Sequence, residues 1–185
     1  VIRKDYAPGR AQPILDKGAA WKYWDQRFYP GATWAMMGFD DSAWLWGGAQ
    51  LGYGQGDEFT QISGGIDPLD KNITAWFRQE FTVADPSKFD ALEFDLLAHD
   101  GAVVYLNGTE VHRYNMPNGV VGSGTLALAE ANFLEQNTWT TFDVPNTLQV
   151  GTNIVAVEVH LYAPMAFDTG FDLTLAGKTD DRLVA

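Results

Sequence analysis

Hydrolytic chemistry needs a nucleophile beside a base, or two carboxyl groups across a cleft. The sequence offers three histidines, His99, His112 and His160, and no cysteine. It has no HExxH pair, no glycine-rich phosphate loop and no GxSxG elbow. Ser42, Ser63, Ser87 and Ser123 all lie outside any recognisable elbow. Glu80, Glu93, Asp95 and Glu158 could share one sheet face, but nothing sets them apart from a solvated outer surface. Catalysis by this chain is therefore not expected. Hard-cation binding needs several oxygen ligands, often close in sequence. Asp40-Asp41-Ser42, Gln55–Glu58 and Asp67–Asp70 are segments of that kind. Asp40, Asp41 and Asp57 are the candidate metal ligands. The competing roles are an N-cap for Asp40 and loop solubility for Asp57 and Glu58.

Recognition of a polyhydroxylated ligand needs aromatic rings to stack on its apolar faces, and polar groups to meet its hydroxyls. Two regions supply both. The first is the loop region from Asp25 to Glu58, with Tyr29, Trp34, Trp46, Tyr53 and Asp57. The second is a polar strand face. Strand alternation groups Trp76 and Arg78 with Glu80, and Glu158 with His160 and Tyr162. The candidate ligand-binding residues are Trp34, Trp46, Tyr53, Asp57, Trp76, Arg78, His160 and Tyr162. The alternative for the loop tryptophans is core or loop anchoring. For the strand face it is an Arg78–Glu158 ion pair beneath a covering loop, with Trp76 packed over it.

The elements that must position these residues are short strands. Ile73–Val83 alternates, with Ala75, Phe77, Phe81 and Val83 on one face. Ala91–Ala98, Trp139–Val144, Asn153–Tyr162 and Phe171–Leu175 read the same way. Ala102–Leu106 and Glu110–Tyr114 flank Asn107-Gly108, which predicts a hairpin with a type I′ turn. Ile14 to Tyr53 reads as two or three irregular strands joined by long loops. Short helical turns are predicted at Phe39–Trp44 and Asn146–Val150. Trp21 and Trp24 fall on opposite faces, so one of them points outward. The pattern predicts an all-β, antiparallel β-sandwich. The divisions read as an N-terminal extension over 1–12, a sandwich over 13–176 and a tail or linker over 177–185.

The 185 residues suit one domain, and 46% apolar content can build its core. The formal net charge of −12 repels phosphate backbones and anionic membranes, so no nucleic-acid partner is expected. No apolar run approaches 18 residues, so no membrane insertion is expected. The sequence opens at Val1, which reads as an excised or processed piece.

Four stretches in order carry a family likeness. They are GFDDSAW (Gly38–Trp44) with LGYGQGD (Leu51–Asp57), AWFRQEFTV (Ala75–Val83), DGAVVYLNGTEV (Asp100–Val111), and NIVAVEVH (Asn153–His160) with FDLTL (Phe171–Leu175). The chain resembles the galactose-binding-like jelly-roll domain over roughly residues 14–176. It also resembles the sugar-binding β-sandwich of family 2 type glycosidases and accessory modules of secreted bacterial hydrolases. It departs from the pattern at His99, where a second aspartate is usual. The resemblance implies a non-catalytic module of a larger secreted or cell-surface protein. Its implied partners are a polysaccharide or glycan and neighbouring domains of the same polypeptide. It also implies a structural calcium ion. A structural or protein-interaction spacer domain is the alternative. Arg78, Asp100 and His160 fall in the motifs, where they can hold strands together instead of touching ligand.

Overall fold

A computed structural model describes residues 11–131 and 137–179. In chain order the strands are β1 (Ala11–Leu15), β2 (Ala20–Trp24), β3 (Leu45–Gly48), β4 (Leu51–Tyr53), β5 (Thr60–Gln61) and β6 (Thr74–Val83). Then follow β7 (Ala91–Ala98), β8 (Gly101–Leu106), β9 (Thr109–Tyr114), β10 (Thr140–Pro145), β11 (Gly151–His160) and β12 (Thr169–Lys178). One 3-10 turn, Pro86–Lys88, is capped by the Asp85 side chain. The helical turns expected at Phe39–Trp44 and Asn146–Val150 do not form. The first region closes instead through a single turn, with Trp44 N–H donating to the Asp41 carbonyl at 3.0 Å. In the second, Asn146 uses its side chain to hold Pro86 and Phe89 carbonyls. Polar loop residues that bond nearby backbone compete with helix formation.

The strands form two sheets. The first runs β10-β7-β12-β4-β5, with β1 also paired to β12. The second runs β3-β2-β6-β11-β8-β9. All pairs are antiparallel except β4 with β5. β7 flanks one side of β12 from Phe171 to Lys178. The other side is shared: β1 covers Leu175 to Lys178, and β4 covers Thr169 to Phe171. The pairing Ala11↔Lys178 carries regular structure two residues beyond the 13–176 span at each end. The hairpin turn has the predicted form. Leu106 pairs with Thr109, while Asn107 and Gly108 take φ of 51° and 84°.

Alternation gives each sheet one apolar face, and the two faces meet in the core. β6 contributes Phe77, Phe81 and Val83, β11 contributes Val155, Val157 and Val159, and β7 contributes Leu92, Phe94 and Leu96. Phe77 stacks on Phe171 with centroids 4.3 Å apart, and Trp21 meets Phe171 edge-on at 4.9 Å. The outer face of the second sheet is also covered. The β2–β3 loop lays Trp34, Ala35 and Trp44 over Trp76 and Ala156. The β9–β10 connection lays Met116 and Ala127 over Val103.

Candidate ligand-binding face

The outer face of the second sheet is where alternation gathers the predicted platform. Thr74, Trp76 and Arg78 on β6 lie in register with His160, Glu158 and Ala156 on β11. The structure brings them together, but beneath the two loops. Trp76, Arg78, Glu158 and His160 are all buried. The strand face is therefore covered, as the alternative reading has it.

Arg78, Glu158, His160 and Thr74 each hold part of the covering structure. The Arg78 guanidinium donates through Nε to Asp41 at 2.9 Å, and through Nη1 to the carbonyls of Trp34 and Met36. Phe39 and Trp44 flank it at 5.2 and 6.0 Å. Arg78 therefore ties the β2–β3 loop down, with Asp41 and not Glu158 as its ion-pair partner. The covering-loop alternative is right in form and wrong in partner. Glu158 instead accepts from the Tyr105 hydroxyl at 2.6 Å. His160 Nδ1 donates to the Thr125 carbonyl at 2.7 Å, and Thr74 donates through its hydroxyl to the Ser123 carbonyl at 2.9 Å. These bonds anchor the second loop. His160 Nε2 faces Glu158 Oε2 at 3.3 Å.

Trp34 is buried too, edge-on to Tyr105 at 5.4 Å, so it anchors the loop and has no free face for a ligand. Trp24 does point to the outer face, but it stacks on Trp44 at 6.2 Å and donates to the Phe28 carbonyl. Tyr162 is half-buried beside Met116 and donates its backbone N–H to Asp100 at 3.0 Å. Tyr53 is half-buried under the Lys71 ammonium, 4.1 Å from its ring. Burial, helped by the charges of Asp168 and Asp100, holds its hydroxyl proton well above the usual phenol range. Trp46 alone among the selected tryptophans is open, at 63% exposure. Phe59, which strand and motif patterns do not single out, is 81% exposed.

Between the two covering loops and the β5–β6 connection lies a cleft of about 210 Å³. Its walls are Arg27, Asp70, Lys71, Asn72, Ser123 and Gly124, and Thr74 and Trp76 also line it. Tyr29 meets Trp76 edge-on at 6.2 Å, and the Trp76 indole N–H has no hydrogen-bond partner. Arg27 is held by Asp70 at 2.8 Å. A larger groove of about 560 Å³ opens at the opposite end of the sandwich, lined by Asn107, Glu110, Asp143, Thr147 and Gln149 among others. None of the residues selected from sequence lines it.

The candidate metal ligands Asp40, Asp41 and Asp57 do not converge on one point. Asp41 is engaged by Lys22 and Arg78. Burial pushes its carboxyl proton up, but hydrogen bonds from Lys22 and Arg78 outweigh that and hold it below the ordinary carboxylate range. Asp40 accepts from Ser42 N–H at 3.0 Å, a local Asx-type turn and not a helix cap. Asp57 is exposed, while Glu58 beside it binds the Gln55 and Gly56 backbone N–H groups. Among the described residues no three histidine or acidic side chains converge on one point.

No family model matches the chain, and no curated protein does. Solved structures do. A β-glucuronidase from Ruminococcus gnavus in complex with D-glucuronic acid superposes on 96% of this chain and 30% of its own, at 14% identity and TM-score 0.56. A β-glucuronidase from Bacteroides uniformis matches 91% of this chain and 18% of its own, at 19% identity and TM-score 0.55. A β-glycosidase from Bacteroides vulgatus matches 89% and 20%, at 18% identity and TM-score 0.53. The chain thus spans between 18% and 30% of the length of these three enzymes. At such identities the likeness is one of fold. This chain is a two-sheet β-sandwich similar to one portion of much longer glycosidases, as the galactose-binding-like resemblance anticipates.

Proposed function

We propose that this chain works as a non-catalytic, glycan-recognising accessory domain of a larger secreted or cell-surface hydrolase. The observation that carries the reading is the superposition of nearly the whole chain on a minor fraction of glycosidases. Such a fold hosts many functions, so the sites must supply the rest. The cleft between the covering loops, with its hydrogen-bonding groups on Arg27, Lys71 and Asn72, supports a sugar contact. The acidic character of the chain suits a neutral ligand better than an anionic one. The test is a glycan array probed with the intact chain, with and without chelator, beside turnover assays on aryl glycosides. Saturable binding without turnover supports the reading. Turnover, or no binding to any glycan, removes it.

One observation favours the spacer alternative. Trp34, Trp76, Arg78 and His160 are used to seal loops onto the sheet, as a domain built for rigidity would use them. The same array decides between the two.

A further inference from the structure

β3 forms one edge of the second sheet, and its sequence is Leu45-Trp46-Gly47-Gly48. Pairing of Lys22 with Trp46 and of Ala20 with Gly48 puts residues 46 and 48 on the outer face. Gly48 has no side chain there. The space is taken by the ring of Phe59, whose carbons lie 2.9 and 3.0 Å from where a Cβ would stand. The Phe59 main chain is held by its N–H, which donates to the Gln50 carbonyl at 3.0 Å. Trp46 has the Lys22 ammonium 5.3 Å from its ring, and Lys22 is in turn fixed by Asp41. Two aromatic rings therefore stand over one strand face, at positions about 7 Å apart. They are 63% and 81% exposed.

Resting on the glycan reading above, we infer that Trp46 and Phe59 form a flat stacking platform for an extended neutral polysaccharide chain. Two exposed rings side by side on one strand face make a contiguous apolar patch, the kind of surface that marks a contact site. The pair offers roughly 300 Å². A stable protein interface needs about 800 Å² from each partner. A sugar chain needs only ring faces for its C–H surfaces. The net charge of −12 favours a ligand without negative charge.

The test is retention of the full chain on insoluble cellulose, xylan and mannan. It compares the parent with Trp46→Ala, Phe59→Ala and Gly48→Val. The valine side chain fills the space of the Phe59 ring and displaces it while both rings remain. Binding of soluble oligosaccharides by calorimetry and the melting temperature are followed in the same variants. The platform predicts that at least one polysaccharide retains the parent and that each variant binds about tenfold more weakly, the scale of one ring contact. Soluble-ligand binding at the cleft is unchanged. The two alanine variants melt like the parent, since the rings they lose are already in water. Equal retention of parent and variants overturns the platform and leaves the glycan reading standing. No glycan binding of any kind overturns both. If Trp46→Ala instead turns a dimer into a monomer in sedimentation, the platform is a self-contact and the inference fails.

Discussion

Arg78 has no exposed side-chain surface, so its charge must be met inside the protein. Alternation places Arg78 on the outer face correctly, and it places Glu158 on the same face one strand away. It does not reveal that Tyr105 already holds Glu158, or that Asp41 arrives from a loop 37 positions earlier. The partner of a buried charge is set by where a loop lands, and no strand period encodes that. Asp100 is a second case. It sits at φ 65°, where glycine is favoured, and its carboxylate offsets the strain by accepting from Ala131 and Tyr162 N–H groups. The Asp41–Arg78 pair predicts a stability phenotype. Asp41→Asn leaves a buried guanidinium without its counter-ion and costs about 3 kcal/mol at pH 7. That is a fall in melting temperature of about 6–12 °C for a chain of this size. Because folding lowers the Asp41 carboxyl proton affinity, the pair stabilises the fold above the ordinary carboxylate range of about 4 and loses that effect as pH falls through the folded value. The gap between parent and variant therefore narrows from pH 5 to pH 3. A gap below about 1 °C at pH 7, or one that stays constant in acid, contradicts this account.

Elements with sustained alternation were legible. Thr74–Val83, Ala91–Ala98 and Gly151–His160 each carry enough inward apolar residues to fix both strand and face. The strands from β1 to β5 were not, because runs as short as Leu51–Tyr53 and Thr60–Gln61 hold too few residues to show a period. The same shortage hid the two covering loops, whose tryptophans read either as anchors or as binding rings. β4 is nonetheless demanding. A Cβ at Gly52 would stand 2.1 Å from the Thr169 carbonyl oxygen on β12. Gly52→Ala must push β4 and β12 apart, at about 1–3 kcal/mol. Amide exchange should then rise in β4 and β5 and at Thr169–Phe171, with β6 and β11 unchanged. Uniform loss of protection, or none, refutes this local weakness.

For the whole molecule, the long connections from β2 to β3, β5 to β6, β9 to β10 and β11 to β12 start from strand ends on one side of the sandwich. The hairpin at Asn107-Gly108, the Pro86–Lys88 turn and the groove lined by Asp143 and Gln149 lie on the other. β1 begins and β12 stops on that second side, at the pair Ala11↔Lys178. Tension drawn through these two points meets an antiparallel pair from its open end. Its interstrand bonds run across the strands, so they break in succession, as in a zipper. Pulling between Ala11→Cys and Lys178→Cys should peel β1 away at low force. Pulling between Ala11→Cys and Asp168→Cys loads the same strands along their length and should need a higher force. Equal forces in single-molecule traces would show that the β1–β12 seam does not govern mechanical opening. If the seam does govern it, this sandwich is a soft link under load, and it yields first where the chain enters and leaves.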